Sequence, residues 1–228
     1  MNQTKEQFSE QPYEKFIRLG PKSLTEAELL AIILRTGTKN CPALKLAENI
    51  LSLSNGKEKG LNALHHLSLA ELKSLPGIGE VKAVKIKSIT ELAIRMAKEK
   101  AQEELCFKQP ETVAAYFMEE LRHEEKEKIL LLSLDNKLQL IEEYVLSVGT
   151  VNASLLSPRE VFVQALKCKA SYVMLLHNHP SGDPVPSRQD ISITKKIKEA
   201  GVLVDIPILD HIIIGNGCYI SLKEKGLL

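Results

Sequence analysis

The sequence predicts a small all-α region followed by an α+β domain of mixed α/β character. Three observations predict it. Residues 1–100 repeat apolar side chains at helical spacing, with capping residues and no strand-like alternation. From residue 106 onward, short apolar runs bounded by turn residues alternate with capped helical stretches. Between them, Ala97 to Pro110 (AKEKAQEELCFKQP) is charged and closes on a proline, which suits a linker or a continued helix. The expected domains are therefore residues 1–100 and 106–228.

In the first region, SLTEAELLAIILRTG opens at Ser23 or Thr25 as N-cap, carries Glu26 and Glu28 in its first turn, and stops near Gly37. ALKLAENILSL places Leu44, Ala47, Ile50 and Leu51 on a helical period. SLAELKSL begins at Ser68 with Glu71 three residues on, a capping box. PGIG (Pro76 to Gly79) interrupts, and EVKAVKIKSITELAIRMAKEK resumes as helix.

In the second region, ETVAAYFMEELRHEEKEK is an amphipathic helix with Val113, Phe117 and Leu121 on one side. ILLLSLD, the turn DNK and LQLIEEYVLSVG form a hairpin. SPREVFVQALKCK is a helix capped by Ser157 with Pro158 at its first position. SYVMLLHNH is a strand of the buried type, and SRQDISITKKIKEAG a helix ending at Gly201. VLVDIPILDHIIIG and CYISL supply further strands.

Composition removes several function classes. The 228 residues are 44% hydrophobic and 26% charged, enough apolar surface for a real core without disulfide staples. The net charge of +1 gives the whole molecule no strong pull toward nucleic acid or an anionic membrane. Residues 1–105 carry 16 Lys and Arg against 13 Asp and Glu, and residues 106–228 carry 14 against 16, a mild asymmetry. Cys41, Cys106, Cys168 and Cys218 are far apart and make neither a zinc ribbon nor a disulfide framework. The polar start MNQTKEQFSEQPYEKF has no apolar core of a signal peptide, and no apolar run reaches the ~20 residues of a membrane span. A reducing, cytoplasmic setting is expected.

The chemistry concentrates in LLHNHPSGDPVPSRQD (Leu175 to Asp190). His177 and His179 end an apolar strand two residues apart, so both imidazoles point to one face. That face lies at a strand's carboxyl end, where α/β proteins place their sites. The loop PSGDPVPS holds three prolines, which restrict its backbone and let it return Asp190 against the pair. Two imidazoles and one carboxylate suit zinc and leave a fourth position for water, the pattern of a catalytic rather than a structural site. Plainer readings exist. An H-x-H pair alone can be solvent-facing, and Ser187 with Asp190 is itself a capping box. The joint spacing H-x-H-x7-S-x2-D on strand, loop and helix favours the metal.

That spacing is the JAMM motif of JAB/MPN domains. HNHPSGDPVPS, followed by LDHIIIG and YISL, resembles the bacterial RadC family in particular, and the resemblance covers nearly the whole chain. It implies a JAB/MPN fold (cytidine-deaminase-like) behind a small helical domain, a Zn2+ cofactor held by His177, His179 and Asp190, and hydrolysis of the metallopeptidase kind on a peptide or protein substrate. It also implies an upstream glutamate that accepts a proton from the water. Register against the RadC-like E-x-x-x-x-x-x-L-D pattern selects Glu127, eight residues before Asp135, with Glu124 and Glu125 as neighbouring alternatives and Glu160 a remote one. By the same resemblance Ser187 donates to the oxyanion of the tetrahedral intermediate. Asn178 stands where many deubiquitinating relatives carry Ser or Thr, so isopeptide specificity is not implied. His211 in LDHIII has two readings, a residue near the site or, more commonly, a packed strand residue, and is assigned no role; His65, His66 and His123 carry no pattern and read as surface groups.

SLPGIGEVKAVKIKSI (Ser74 to Ile89) resembles a helix-hairpin-helix element, and LRTGTKNCPALKLAENI a degenerate partner hairpin. Such a hairpin lets backbone N–H groups approach a phosphate, and Lys82, Lys85 and Lys87 follow it. The plainer reading is a turn between packed helices with a solvated lysine face. Two functional readings result: a zinc-dependent amide hydrolase, or a DNA-associated binding module in repair whose metal is structural or vestigial. A two-metal nuclease fits less well, because one ligand set and no carboxylate cluster are present.

Overall fold

The computed structural model describes residues 11–53, 60–149 and 156–228. Residues 1–10 of the polar opening segment, read above as no signal peptide, lie outside the described residues. The chain forms two compact units, Met1–Ala93 and Ile94–Leu228. The division falls inside a helix, Glu80–Gln102, that continues through the first part of the segment read as a linker. Among the described residues, no helix is long and apolar enough to cross a membrane.

The first unit is helical. It contains α1 (Pro12–Leu19), α2 (Glu26–Leu34), α3 (Ala43–Ser52), α4 (Ala63–His66), α5 (Leu69–Ser74) and the start of α6 (Glu80–Gln102). Thr25 caps α2 and Ser68 caps α5, each through a reciprocal capping box with Glu28 and Glu71. The helix read as stopping near Gly37 ends at Leu34, because Arg35 already turns to a positive φ of 65°. Leu30, Leu34, Leu46, Ile50, Leu72 and Ile86 belong to the core; of the face read on α3, Ala47 and Ile50 are buried, whereas Leu44 and Leu51 are only partly buried against it and Leu46 is buried instead. The PGIG turn is packed into its own unit. Gly77 has φ 94°, and a Cβ there would meet Thr38 Cγ2 at 2.5 Å. Lys82 Nζ donates to Thr36 O (2.6 Å) and Gly77 O (2.9 Å), and Lys87 Nζ to His65 O (3.0 Å). Two of the three lysines assigned to phosphate therefore have partners inside the fold.

The second unit is a five-stranded sheet between helices. Its strands are β1 (Lys128–Leu134), β2 (Leu140–Val148), β3 (Tyr172–Asn178), β4 (Ile208–Ile214) and β5 (Tyr219–Ser221), in the order β2-β1-β3-β4-β5. Only the β3–β4 pair is parallel. It is joined through α9 (Arg188–Leu203), a βαβ crossover. α7 (Pro110–Leu121) covers one face through Val113, Phe117 and Leu121 on Leu130, Leu132, Leu176 and Ile212. α8 (Pro158–Lys167) and α9 cover the other, where Val161, Ala165 and Ile197 meet Ile129, Leu131, Val173 and Leu175. Both faces of β1 and β3 are covered, which is why ILLLSL and YVMLL read as unbroken apolar runs.

Two helix ends differ from the sequence reading. α7 stops at Leu121, so Glu124, Glu125 and Glu127 lie on a connecting segment and not on a helix face. α9 runs through Gly201 to Leu203. Gly201 serves packing there: a Cβ would come within 2.7 Å of Ile206 O and 3.2 Å of Phe162. The strand after it starts only at Ile208, following Pro207.

Candidate metal centre

His177 is the sixth residue of β3, and His179 follows the strand by one position. The two-residue period sends both rings to the α9 side, and their Nε2 atoms lie 2.9 Å apart. Asp190 is the third residue of α9 and completes a capping box. Ser187 Oγ accepts from Asp190 N (3.1 Å), and Asp190 Oδ2 accepts from Ser187 N (2.7 Å). The plainer reading of that pair is thus correct and does not compete with the other. The box fixes the helix start and aims the carboxylate, with Oδ1 3.7 Å from His177 Nε2 and Oδ2 3.7 Å from His179 Nε2.

Glu127 precedes β1. The antiparallel register pairs Ile129 with His177, and its continuation sets Glu127 across from His179. Glu127 Oε1 lies 3.8 Å from His177 Nε2. The candidate ligand atoms of Glu127, His177, His179 and Asp190 all lie within 4.8 Å of one another. Glu124 turns instead to Lys128 (3.7 Å), and Glu160 sits in the first turn of α8, its N–H on Ser157 Oγ.

Two features hold the frame. Asn178 points away from its neighbours and is 1% exposed. Its Oδ1 accepts from Lys128 N (2.8 Å), and its Nδ2 donates to Glu124 O (3.3 Å) and Lys126 O (3.2 Å), clamping the segment that presents Glu127. On the loop side, His179 Nδ1 donates to Asp183 O (2.8 Å), and Gly182 N to His179 O (2.9 Å). Gly215 lets this loop close on the end of β4, because a Cβ would run into Gly182 O and Pro184.

The electrostatics suit a cation. Burial, reinforced by His211, holds the His177 imidazole neutral well below its usual range. Burial alone would raise Asp190, but hydrogen bonding and charge from His179, His177 and Ser187 outweigh it and keep the carboxyl ionised far below its usual range. The Asp190 carboxylate raises His179. Burial and the charge of Asp190 push Glu127 up. His179, committed through Nδ1–H, presents a lone pair at Nε2, directly against the ring nitrogen of His177. Two imine nitrogens at that distance repel unless a cation or a proton lies between them. Ligand atoms about 2.05 Å from a tetrahedral zinc are about 3.3 Å apart. The spacings of 2.9 and 3.7 Å bracket that value, so the residues fit such an ion.

A family model described as a RadC-like JAB domain matches residues 107–227, and one described as UPF0758 N-terminal matches residues 4–84. The chain belongs to the RadC family. Its RadC-like JAB domain stands at the C-terminus behind the helical region. Similar relatives are each named UPF0758 protein. One from Alkaliphilus metalliredigens is 45% identical over 97% of this chain and 94% of its own. One from Desulforamulus reducens is 44% identical over 95% and 94%, and one from Methanosarcina acetivorans 43% over 96% and 93%.

Within the RadC-like JAB domain, His123 departs from the sequence reading, and His211, unassigned there, lies beside the site. His123 is 8% exposed, against Glu119 at 3.4 Å, and is no surface group. His211 is 1% exposed and touches the site directly, its Nε2 2.7 Å from His177 Nδ1. The only sequence signal for it was a histidine amid isoleucines, where burial without a polar partner would be costly.

Proposed function

We propose that the RadC-like JAB domain is a zinc-dependent amide hydrolase of the metallopeptidase kind. The observation that carries this reading is the convergence of Glu127, His177, His179 and Asp190 within 4.8 Å. His177, His179 and Asp190 would hold the zinc, which would supply Lewis acidity and make hydroxide available near pH ~7. Glu127, raised by burial and by Asp190, accepts the proton of the attacking water and returns it to the leaving amine. Ser187 keeps its hydroxyl proton, since its Oγ is the acceptor in the capping box, and donates it to the developing oxyanion. The substrate is a peptide or protein.

The DNA-module reading gains no observation of its own. Lys82 and Lys87 donate to main-chain carbonyls, while Lys85 is exposed.

Elemental analysis of the purified protein tests the ligand set. Wild type should carry close to one zinc per chain, His177→Ala and Asp190→Ala should lose it, and Glu127→Gln should keep it while losing hydrolysis of a peptide library. A triple His177, His179, Asp190 variant that retains zinc would end the reading.

A further inference from the structure

The protonation of His177 is dictated from outside the cluster. A neutral imidazole has two tautomers, and only the one protonated at Nδ1 leaves the Nε2 lone pair facing Glu127, His179 and Asp190. Behind His177 runs a chain of buried polar groups. Thr194 Oγ1 donates to Asp190 O (2.6 Å), one helical turn back in α9. Its single proton is spent there, so toward His211 Nδ1 (2.6 Å) the hydroxyl can only accept. His211 is therefore protonated at Nδ1, and its Nε2 is an acceptor. The partner of that acceptor is His177 Nδ1 at 2.7 Å. The donors run in one direction, from His177 to His211 to Thr194 to the carbonyl of Asp190. Reversing the chain would turn the Thr194 hydroxyl proton away from Asp190 O and leave two oxygens facing each other at 2.6 Å.

We propose that Thr194 and His211 are positioning residues that lock His177 as its Nδ1–H tautomer and thereby set the metal affinity of the centre; this rests on the metal-site reading above. All three side chains are at most 1% exposed. An apolar pair would fill the same space without desolvating three polar groups, so packing alone does not account for them. The chain also ends on the main-chain carbonyl of a candidate ligand. One turn of α9 thus supplies both the Asp190 carboxylate and the anchor that orients His177 from behind.

The test uses the full-length protein, with zinc affinity read by competition against a chromogenic chelator and His177 read by nitrogen-15 NMR in the metal-free state. In wild type, Nδ1 of His177 should be of the protonated pyrrole type and Nε2 of the unprotonated type. Thr194→Val keeps the shape but frees His211 to reverse, so zinc should bind about 10- to 100-fold more weakly, with the two nitrogen signatures exchanged or averaged. His211→Leu should weaken binding at least as much. Thr194→Ser and His211→Gln preserve an acceptor for the chain and should restore wild-type affinity, which a loss of packing would not explain. Wild-type affinity and unchanged His177 nitrogens in Thr194→Val would overturn the proposal. A wild type that takes up no zinc would refute the metal-site reading and the link to affinity, while the metal-free spectra would still decide the tautomer lock.

Discussion

At the scale of single residues, the centre divides into what local spacing announces and what it conceals. His177, His179 and Asp190 were legible because a strand period and a stiff loop place them by local geometry alone. Glu127 was reachable only through the resemblance to the RadC-like pattern, since it sits in a charged run with Glu124 and Glu125 and is brought in by pairing with a strand fifty residues away. His211 was legible only as a histidine that could stand near the site, without a role, and Thr194 was not legible. Their contact depends on the parallel β3–β4 pairing and on the face α9 turns inward, neither of which the sequence pattern specifies. Asn178 shows the same limit: its position between the histidines was plain, but its three bonds to the Glu127 segment are tertiary. Asn178→Ala strands the Lys128 N–H and two carbonyls, and should cost about 1–3 kcal/mol of stability. On the proposed function, zinc should remain, because none of the three proposed ligands is touched, while hydrolysis falls with Glu127 unmoored. Chemical denaturation beside elemental analysis checks this. Simultaneous loss of zinc would place Asn178 in the ligand frame instead.

At the scale of elements, the capping box at the start of α9 combines two roles that the sequence allows to coexist, a helix cap and the aim of a carboxylate. The box is formed, and it aims Asp190. Helix starts were well announced in general, because Thr25, Ser68, Ser157 and Ser187 are the caps their side chains suggest. Helix ends were not. Gly201 looked like a terminator but is an interior glycine required by close packing, and the charged run after Leu121 looked helical but is held open by Asn178. Ser187 allows its two roles to be separated by a pair of substitutions. Ser187→Ala should lower stability by about 1 kcal/mol and Ser187→Gly by only a few tenths, since glycine is tolerated at an N-cap. Both lack the hydroxyl, so both should lose turnover alike, by about 100- to 1,000-fold if the donor serves the oxyanion. Thermal or urea melts beside rate measurements decide it. Near-normal turnover in Ser187→Gly would leave the residue as a cap alone.

At the scale of the whole molecule, two units with separate cores were expected from the change in periodicity. The strand order β2-β1-β3-β4-β5 was not, because apolar runs reveal burial without revealing neighbours. The second unit also carries a charge network that fixes how its stability responds to pH. Glu120 accepts from Lys98 Nζ (2.9 Å) and Lys128 Nζ (3.1 Å), and Lys98 also lies 3.8 Å from Glu143 and 4.7 Å above the Tyr116 ring. Burial opposes ionisation of Glu120, but the two ammonium groups outweigh it and lower its pKa from the usual 4.5. Its contribution to stability is therefore full above about pH 4.5 and is lost as pH falls through the lowered value. Glu143 has the opposite sign. Burial and the neighbouring Glu120 raise its pKa, so its contribution is present in acid and is lost as pH rises through that raised value. Urea midpoints measured from pH 3.5 to 7 should fall on the acid side for wild type and flatten there for Glu120→Gln. Glu143→Gln should instead be the more stable protein at pH 7, because it no longer pays to ionise a half-buried carboxylate beside another. The two substitutions are the same chemical change on one network, so equal effects at pH 7 would show that exposure to solvent, and not the arrangement of these charges, governs the unit's response to pH.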